Sequence, residues 1–152
     1  MCFLLVYNLK IADILSKDAN KSEECPYKMK DKITVYEKPT CSKCREVDKM
    51  LREAGKEKGI DYDKINYYVE PLSAAKLTEL LKKMNMPARD LLRTTEAVYR
   101  ELKLAKADLS DKEIIALMVK HPDLIQRPIV EKGDKAALGR PVENIKALLK
   151  LK

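Results

Sequence analysis

The apolar run Ile33-Thr34-Val35-Tyr36 is halted at Pro39 and followed at once by Thr40-Cys41-Ser42-Lys43-Cys44-Arg45, where a helical pattern begins. A strand, a tight turn and then a helix opening on cysteine constrain the fold more than any other part of the chain. From Ser42 to about Ala54, the residues Cys44, Val47, Met50, Leu51 and Ala54 fall on one helical face. Cys41 therefore sits at the helix start, where first-turn N–H groups lack partners and the helix field favours an anion. This position predicts an exposed thiolate that is nucleophilic at neutral pH. Cys44, one turn on, points to the apolar face and is either a redox partner of Cys41 or a packed, passive thiol.

The remaining pattern alternates strands and helices. Gly55 and Gly59 are expected to bracket a charged turn, after which Tyr62 to Tyr68 reads as a strand with its exit. Pro71 and Ser73 introduce a helix carrying Leu77, Leu80, Leu81 and Met84, and Pro87 begins a helical turn leading to Arg93. A short helix is expected over Glu96 to Leu102. Ser110-Asp111-Lys112-Glu113 has the spacing of a capping box ahead of Ile114, Leu117 and Met118, and Pro122 ends that helix. Residues 128–131 and 135–138 read as a hairpin turning at Gly133-Asp134, before a last helix from Val142 to Leu151. This order predicts an α/β fold in which helices cover both faces of a small mixed sheet.

A chain of 152 residues with 45% hydrophobic content is expected to form one domain with a real core. Residues 1–30 read as an N-terminal extension of uncertain role and 31–152 as the folded domain. Met29 is either an internal start or an ordinary linker residue. The formal charge of +7 suits an anionic partner, but the basic residues are scattered, so no direct nucleic-acid binding is expected. Cys2, Cys25, Cys41 and Cys44 are unevenly spaced, which favours thiol chemistry in a reducing cytoplasm over a disulfide framework. A zinc site built from these four is the alternative; one Cys-x-x-Cys supplies only two ligands and the single His121 is remote, so no metal is assigned. The apolar segment Cys2–Tyr7 has no basic leader and is too short to span a bilayer, so a soluble protein without membrane contact is expected.

Arg93, Arg127 and Arg140 give the thiol a candidate substrate. The latter two flank the hairpin, so a compact fold can bring them to one end of the sheet, and forked guanidinium donors suit a tetrahedral oxyanion. With these residues in view the chain resembles the glutaredoxin-coupled arsenate reductase (ArsC) family over roughly Lys32 to Leu149. The resemblance is carried by Ile33-Thr34-Val35-Tyr36…Pro39-Thr40-Cys41, Leu91-Leu92-Arg93, the run from His121 to Val130, and Gly139-Arg140-Pro141. It implies a thioredoxin-like fold with an inserted helical subdomain. It further implies Cys41 as the arsenate-attacking cysteine, Arg93, Arg127 and Arg140 as oxyanion-binding residues, and Pro128 as a structural cis-proline beside the thiol. No bound cofactor is implied; glutathione with glutaredoxin completes turnover in the family.

The chain departs from that pattern at two positions. Glu37 stands where the family usually has histidine; its carboxylate either opposes thiolate formation at close range or faces solvent. Cys44 is absent from the usual motif. If it resolves the Cys41 adduct, thioredoxin replaces glutathione and glutaredoxin as reductant. The Cys-x-x-Cys pair also resembles the Spx redox regulators that bind RNA polymerase, with Arg127-Pro128 matching there too. Retention of Arg93 and Arg140 favours a reductase acting on arsenate or a similar small oxyanion.

Overall fold

A computed structural model describes residues 32–151. The expected extension over 1–30, with Cys2 and Cys25, lies outside the described residues.

Strand β1 (Ile33–Glu37) leads into helix α1 (Ser42–Lys58) and then strand β2 (Tyr62–Asn66). Helices α2 (Ala74–Met84), α3 (Ala97–Glu101) and α4 (Asp111–Lys120) follow, with 3-10 turns at Ala88–Leu91 and Pro122–Leu124. Strands β3 (Ile129–Lys132) and β4 (Lys135–Leu138) form the hairpin, and α5 (Glu143–Leu149) ends the chain's regular structure. The four strands lie in the order β2-β1-β3-β4, with β1 parallel to β2 and antiparallel to β3. This is the expected small mixed sheet flanked by helices, in a thioredoxin-like arrangement. Helices α2 to α4 are inserted between the β1-α1-β2 half and the β3-β4-α5 half.

Strand periodicity divides the core into two layers, because successive side chains leave opposite faces of a sheet. Ile33, Val35 and Val130 join Val47 and Leu51 of α1 and Ile145 and Leu149 of α5 on one face. Tyr36 and Ile129 join Leu77 and Leu80 of α2 and Ile114 and Met118 of α4 on the other. Helices therefore cover both faces, and all five residues of the central strand β1 are buried.

Several boundaries differ from the sequence reading. Helix α1 runs through Gly55 to Lys58 instead of stopping near Ala54, and Gly59 alone ends it. Gly59 adopts the left-handed conformation (φ 62°) and its N–H bonds to the Gly55 carbonyl, an arrangement suited to glycine. Gly55 serves a different need: a Cβ there would lie 2.9 Å from the Ile60 carbonyl oxygen, so its absence lets the chain fold back over the helix. Lys150, at φ 54°, ends α5 before Leu151. The capping box at Ser110 and Glu113 forms as expected. Among the described residues, no helix is long and apolar enough to cross a membrane.

Candidate functional site

Cys41 is the N-cap of α1, in an extended conformation, and it is partly exposed. Its own N–H is held by the Lys38 carbonyl at 2.9 Å, while its carbonyl accepts from Arg45 N–H at 3.1 Å. The backbone therefore fixes the residue on both sides and leaves the sulfur to the pocket. No first-turn N–H closes a full cap bond to that sulfur. Partial burial opposes ionisation, but the N–H dipole and thiol of Cys44, the N–H of Lys43 and the Arg127 guanidinium outweigh it and bring Cys41 down to about 6. Cys44 lies fully buried one turn later on the apolar face of α1. Burial, the charge on Cys41 and the nearby Glu37 carboxylate push its thiol up to about 12. At neutral pH the pair is one thiolate and one thiol in contact, a division of charge that makes Cys41 the better nucleophile.

Arg127 comes from the loop entering β3, where the Arg127–Pro128 peptide is cis. The side chain is buried, with the residue only 5% exposed, and it faces Cys41. Its Nη1 donates to the hydroxyls of Tyr68 at 3.0 Å and Tyr67 at 3.4 Å. Arg93 arrives from the other side of the insertion. It is set in place by an isolated bridge between Leu92 and Ile125 and by its own N–H bonding to the Leu124 carbonyl at 2.8 Å. Arg140 follows β4, and its Nε donates to the Arg127 carbonyl at 3.0 Å. The Arg140–Pro141 peptide is also cis, a feature the sequence reading did not single out.

The three arginines are thus linked at one end of the sheet. Arg93 and Arg127 share the Glu96 carboxylate, whose Oε1 lies 2.5 Å from Arg93 Nε and 3.9 Å from Arg127 Nη2. Even so, Arg93 Nη1 and Arg127 Nε are buried donors without a partner among the described residues. Buried polar groups are nearly always paired, so two unpaired guanidinium donors, one on Arg127 beside Cys41 and one on Arg93 joined to it through Glu96, are donors that an anion with several oxygens would suit.

Sequence reasoning missed the groups that hold Arg127. Tyr68 donates to Asp123 while accepting from Arg127, and Lys38 pairs with Asp123 at 3.4 Å while lying over the Tyr68 ring at 4.2 Å. Tyr67 stacks on Tyr68 with centroids 5.1 Å apart, and its phenol is pushed up to about 12 mainly by burial. Both therefore remain neutral and accept from Arg127. Tyr67 and Tyr68 follow β2 at its C-terminal end, so only their position after a strand signalled a role. Glu37 is not solvent-facing: it is buried at the end of β1, 3.7 Å from Lys64. Burial raises its carboxyl above the ordinary range despite that lysine.

The family model described as the ArsC family matches residues 36–148, which include the cysteine pair and all three arginines. The chain belongs to the ArsC family. Among its relatives, the YfgD protein of Escherichia coli is 41% identical over 118 residues, covering 77% of this chain and 96% of YfgD. An arsenate reductase of Neisseria meningitidis is 34% identical over 118 residues, covering 77% of this chain and 97% of that protein. The solved structure of an arsenate reductase from Vibrio cholerae superposes with a TM-score of 0.68 at 32% identity, covering 80% of this chain and 98% of that one.

Within this ArsC domain, Glu37 and Cys44 are both buried. Glu37 is among the groups that raise the Cys44 thiol, so the two are electrostatically linked.

Proposed function

We propose that this protein is an arsenate reductase or a related thiol-dependent oxidoreductase, with Cys41 as nucleophile and Arg93, Arg127 and Arg140 as oxyanion-binding residues. The observation that carries this reading is the pair of unpaired guanidinium donors, Arg127 Nε beside a cysteine whose thiolate is favoured at neutral pH and Arg93 Nη1 joined to Arg127 through Glu96. Membership of the ArsC family supports it.

In the proposed reaction the Cys41 thiolate attacks the arsenic of arsenate, forming a sulfur–arsenic bond. One arsenate oxygen takes up two protons in all and leaves as water. The guanidinium groups neutralise the oxygens and hold arsenic in line with the sulfur. A second thiolate then attacks the Cys41 sulfur, and the electron pair of the sulfur–arsenic bond stays on arsenic. The products are a disulfide and arsenite, so two sulfurs are oxidised as arsenic(V) becomes arsenic(III). No bound cofactor enters these steps.

Cys44 is proposed as the second thiol. It already contacts Cys41, and bonding of Cys41 to arsenic removes one charge that holds the Cys44 proton in place. The resulting Cys41–Cys44 disulfide suits thioredoxin as reductant; glutathione with glutaredoxin is the route open when an external thiol attacks instead. Such chemistry fits a reducing cytoplasm.

The test is arsenite production from arsenate with each reductant. Cys41→Ser abolishes turnover with both, and Cys44→Ser impairs the thioredoxin route far more than the glutathione route. Full turnover by Cys41→Ser removes the assignment. The same coupled sulfurs support a second reading, an Spx-like switch. Capture of RNA polymerase that depends on oxidation, without arsenite production, selects that one.

A further inference from the structure

The Glu96 carboxylate lies between two arginines of the proposed oxyanion cradle, and the reaction above gives it no role. We propose that Glu96 is a resident counter-ion that a tetrahedral dianion must displace, so that it sets the threshold charge for entry. This inference rests on the oxyanion reading of Arg93, Arg127 and Arg140.

Charge balance supports exchange over coexistence. The pocket holds three guanidinium charges against the Cys41 thiolate and the Glu96 carboxylate; Asp123 is matched by Lys38. With a dianion added and Glu96 retained, negative charge exceeds positive by one in a partly buried site. With Glu96 withdrawn, the charges cancel. Leaving guanidinium groups buried without an anion is costly, which explains why a carboxylate occupies the position at rest. A single carboxylate oxygen nevertheless serves both arginines unevenly, at 2.5 Å and 3.9 Å, and leaves Arg93 Nη1 and Arg127 Nε unpaired. A tetrahedral oxyanion presents enough oxygens to serve these donors together.

Glu96 also has room to leave. It occupies the position before α3 but makes no side-chain cap hydrogen bond, and its side chain is 26% exposed. Rotation toward solvent breaks its contacts to the arginines without unravelling a helix cap. A monoanion gains too little from the guanidinium groups to replace a carboxylate already in place, whereas phosphate, arsenate or sulfate brings a second charge.

The experiment compares the parent protein, with Cys41 intact, with its Glu96→Gln and Glu96→Ala variants, since replacing Cys41 would remove one of the charges counted above. Calorimetric titrations use phosphate, sulfate and nitrate, which the thiol does not reduce, and thermal melts check that each variant is folded. Removing the carboxylate should tighten binding of the dianions about tenfold, the scale of one lost charge–charge competition, and should make nitrate binding measurable. In the enzyme with Cys41 intact, Glu96→Gln should lower KM for arsenate more than it changes kcat. Unchanged or weaker anion binding in both Glu96 variants, with the parent still binding dianions, overturns the counter-ion role and leaves the oxyanion reading standing. If the parent and both variants bind no tetrahedral anion, the cradle itself is refuted and the role of Glu96 with it.

Discussion

Cys41 and Cys44 are one helical turn apart, yet their thiols shift in opposite directions because one faces the pocket and the other faces the core. Burial opposes the Cys41 thiolate, but the Cys44 N–H and thiol, together with Lys43 and Arg127, bring it to about 6. Alkylation of Cys41 by iodoacetamide should therefore rise with pH around a midpoint near 6, and Cys44→Ala, which removes one of the donors, should move that midpoint upward. A midpoint near the ordinary cysteine value in the wild type would show that the donors do not act on this sulfur. Glu37 behaves in the opposite sense to a stabilising acid. Burial raises its folded-state pKa above 4.5, so its ionised form costs stability at neutral pH and costs nothing once both folded and unfolded chains are protonated. Glu37→Gln should accordingly melt higher than wild type at pH 7, with the difference closing as pH falls from the raised folded value toward about 4.5 and gone below it. Cys41 was legible from sequence because a helix N-cap is a local feature. The burial of Glu37 was not, since it follows from β1 being central in the sheet with both faces covered.

At the scale of elements, local chemistry is decisive where a turn or cap has few alternatives. The Ser110 side chain accepts from the Glu113 N–H, and the Glu113 carboxylate accepts from the Ser110 N–H at 2.8 Å. Ser110→Ala should cost about 1 kcal/mol in urea unfolding, the usual scale for a lost N-cap, and should leave the thiol pH profile unchanged. Gly139 is more demanding. A Cβ there would meet Pro128 Cγ at 2.8 Å and Val47 Cγ2 at 3.2 Å, between the loop that carries Arg127 and the helix that carries Cys41. Gly139→Ala should push these elements apart, costing about 1–3 kcal/mol by overpacking and reducing the rate of Cys41 alkylation at pH 7. Stability loss with no change in the thiol would mean that the strain is absorbed away from the site. The hairpin and the capping box could be read from spacing alone. The extent of α1 could not, because Gly55 is required by the return of the chain at Ile60, a contact outside the helix pattern.

Across the whole molecule, the inserted helices are held to the sheet by the apolar core on that face, and one acid adds a polar tie between α2 and two strands. Glu131 of β3 accepts from Tyr36 of β1 at 2.6 Å and from Lys83 and Lys76 of α2 at 2.5 Å and 3.0 Å. No local pattern reveals this meeting of β1, α2 and β3, just as none reveals that Arg93 joins Arg127 and Arg140, which the hairpin brings together; both depend on how the insertion folds back over the sheet. Burial alone would raise the Glu131 pKa, but these donors hold it at about 2. An acid depressed from 4.5 in this way stabilises the fold fully above the unfolded value and loses that contribution as pH falls from about 4.5 toward 2. The shift corresponds to about 3 kcal/mol at neutral pH. Glu131→Gln keeps the shape and removes the charge, so it should lower unfolding free energy by about 2–3 kcal/mol at pH 7. Urea titrations at pH 7, 4 and 3 should show the gap between wild type and variant narrowing at each step, because acid gives the wild type the neutral side chain that the variant already has. A gap of constant size across that range would assign the stabilisation to packing and neutral hydrogen bonding, with the ionised carboxylate playing no part in fastening α2 to the sheet.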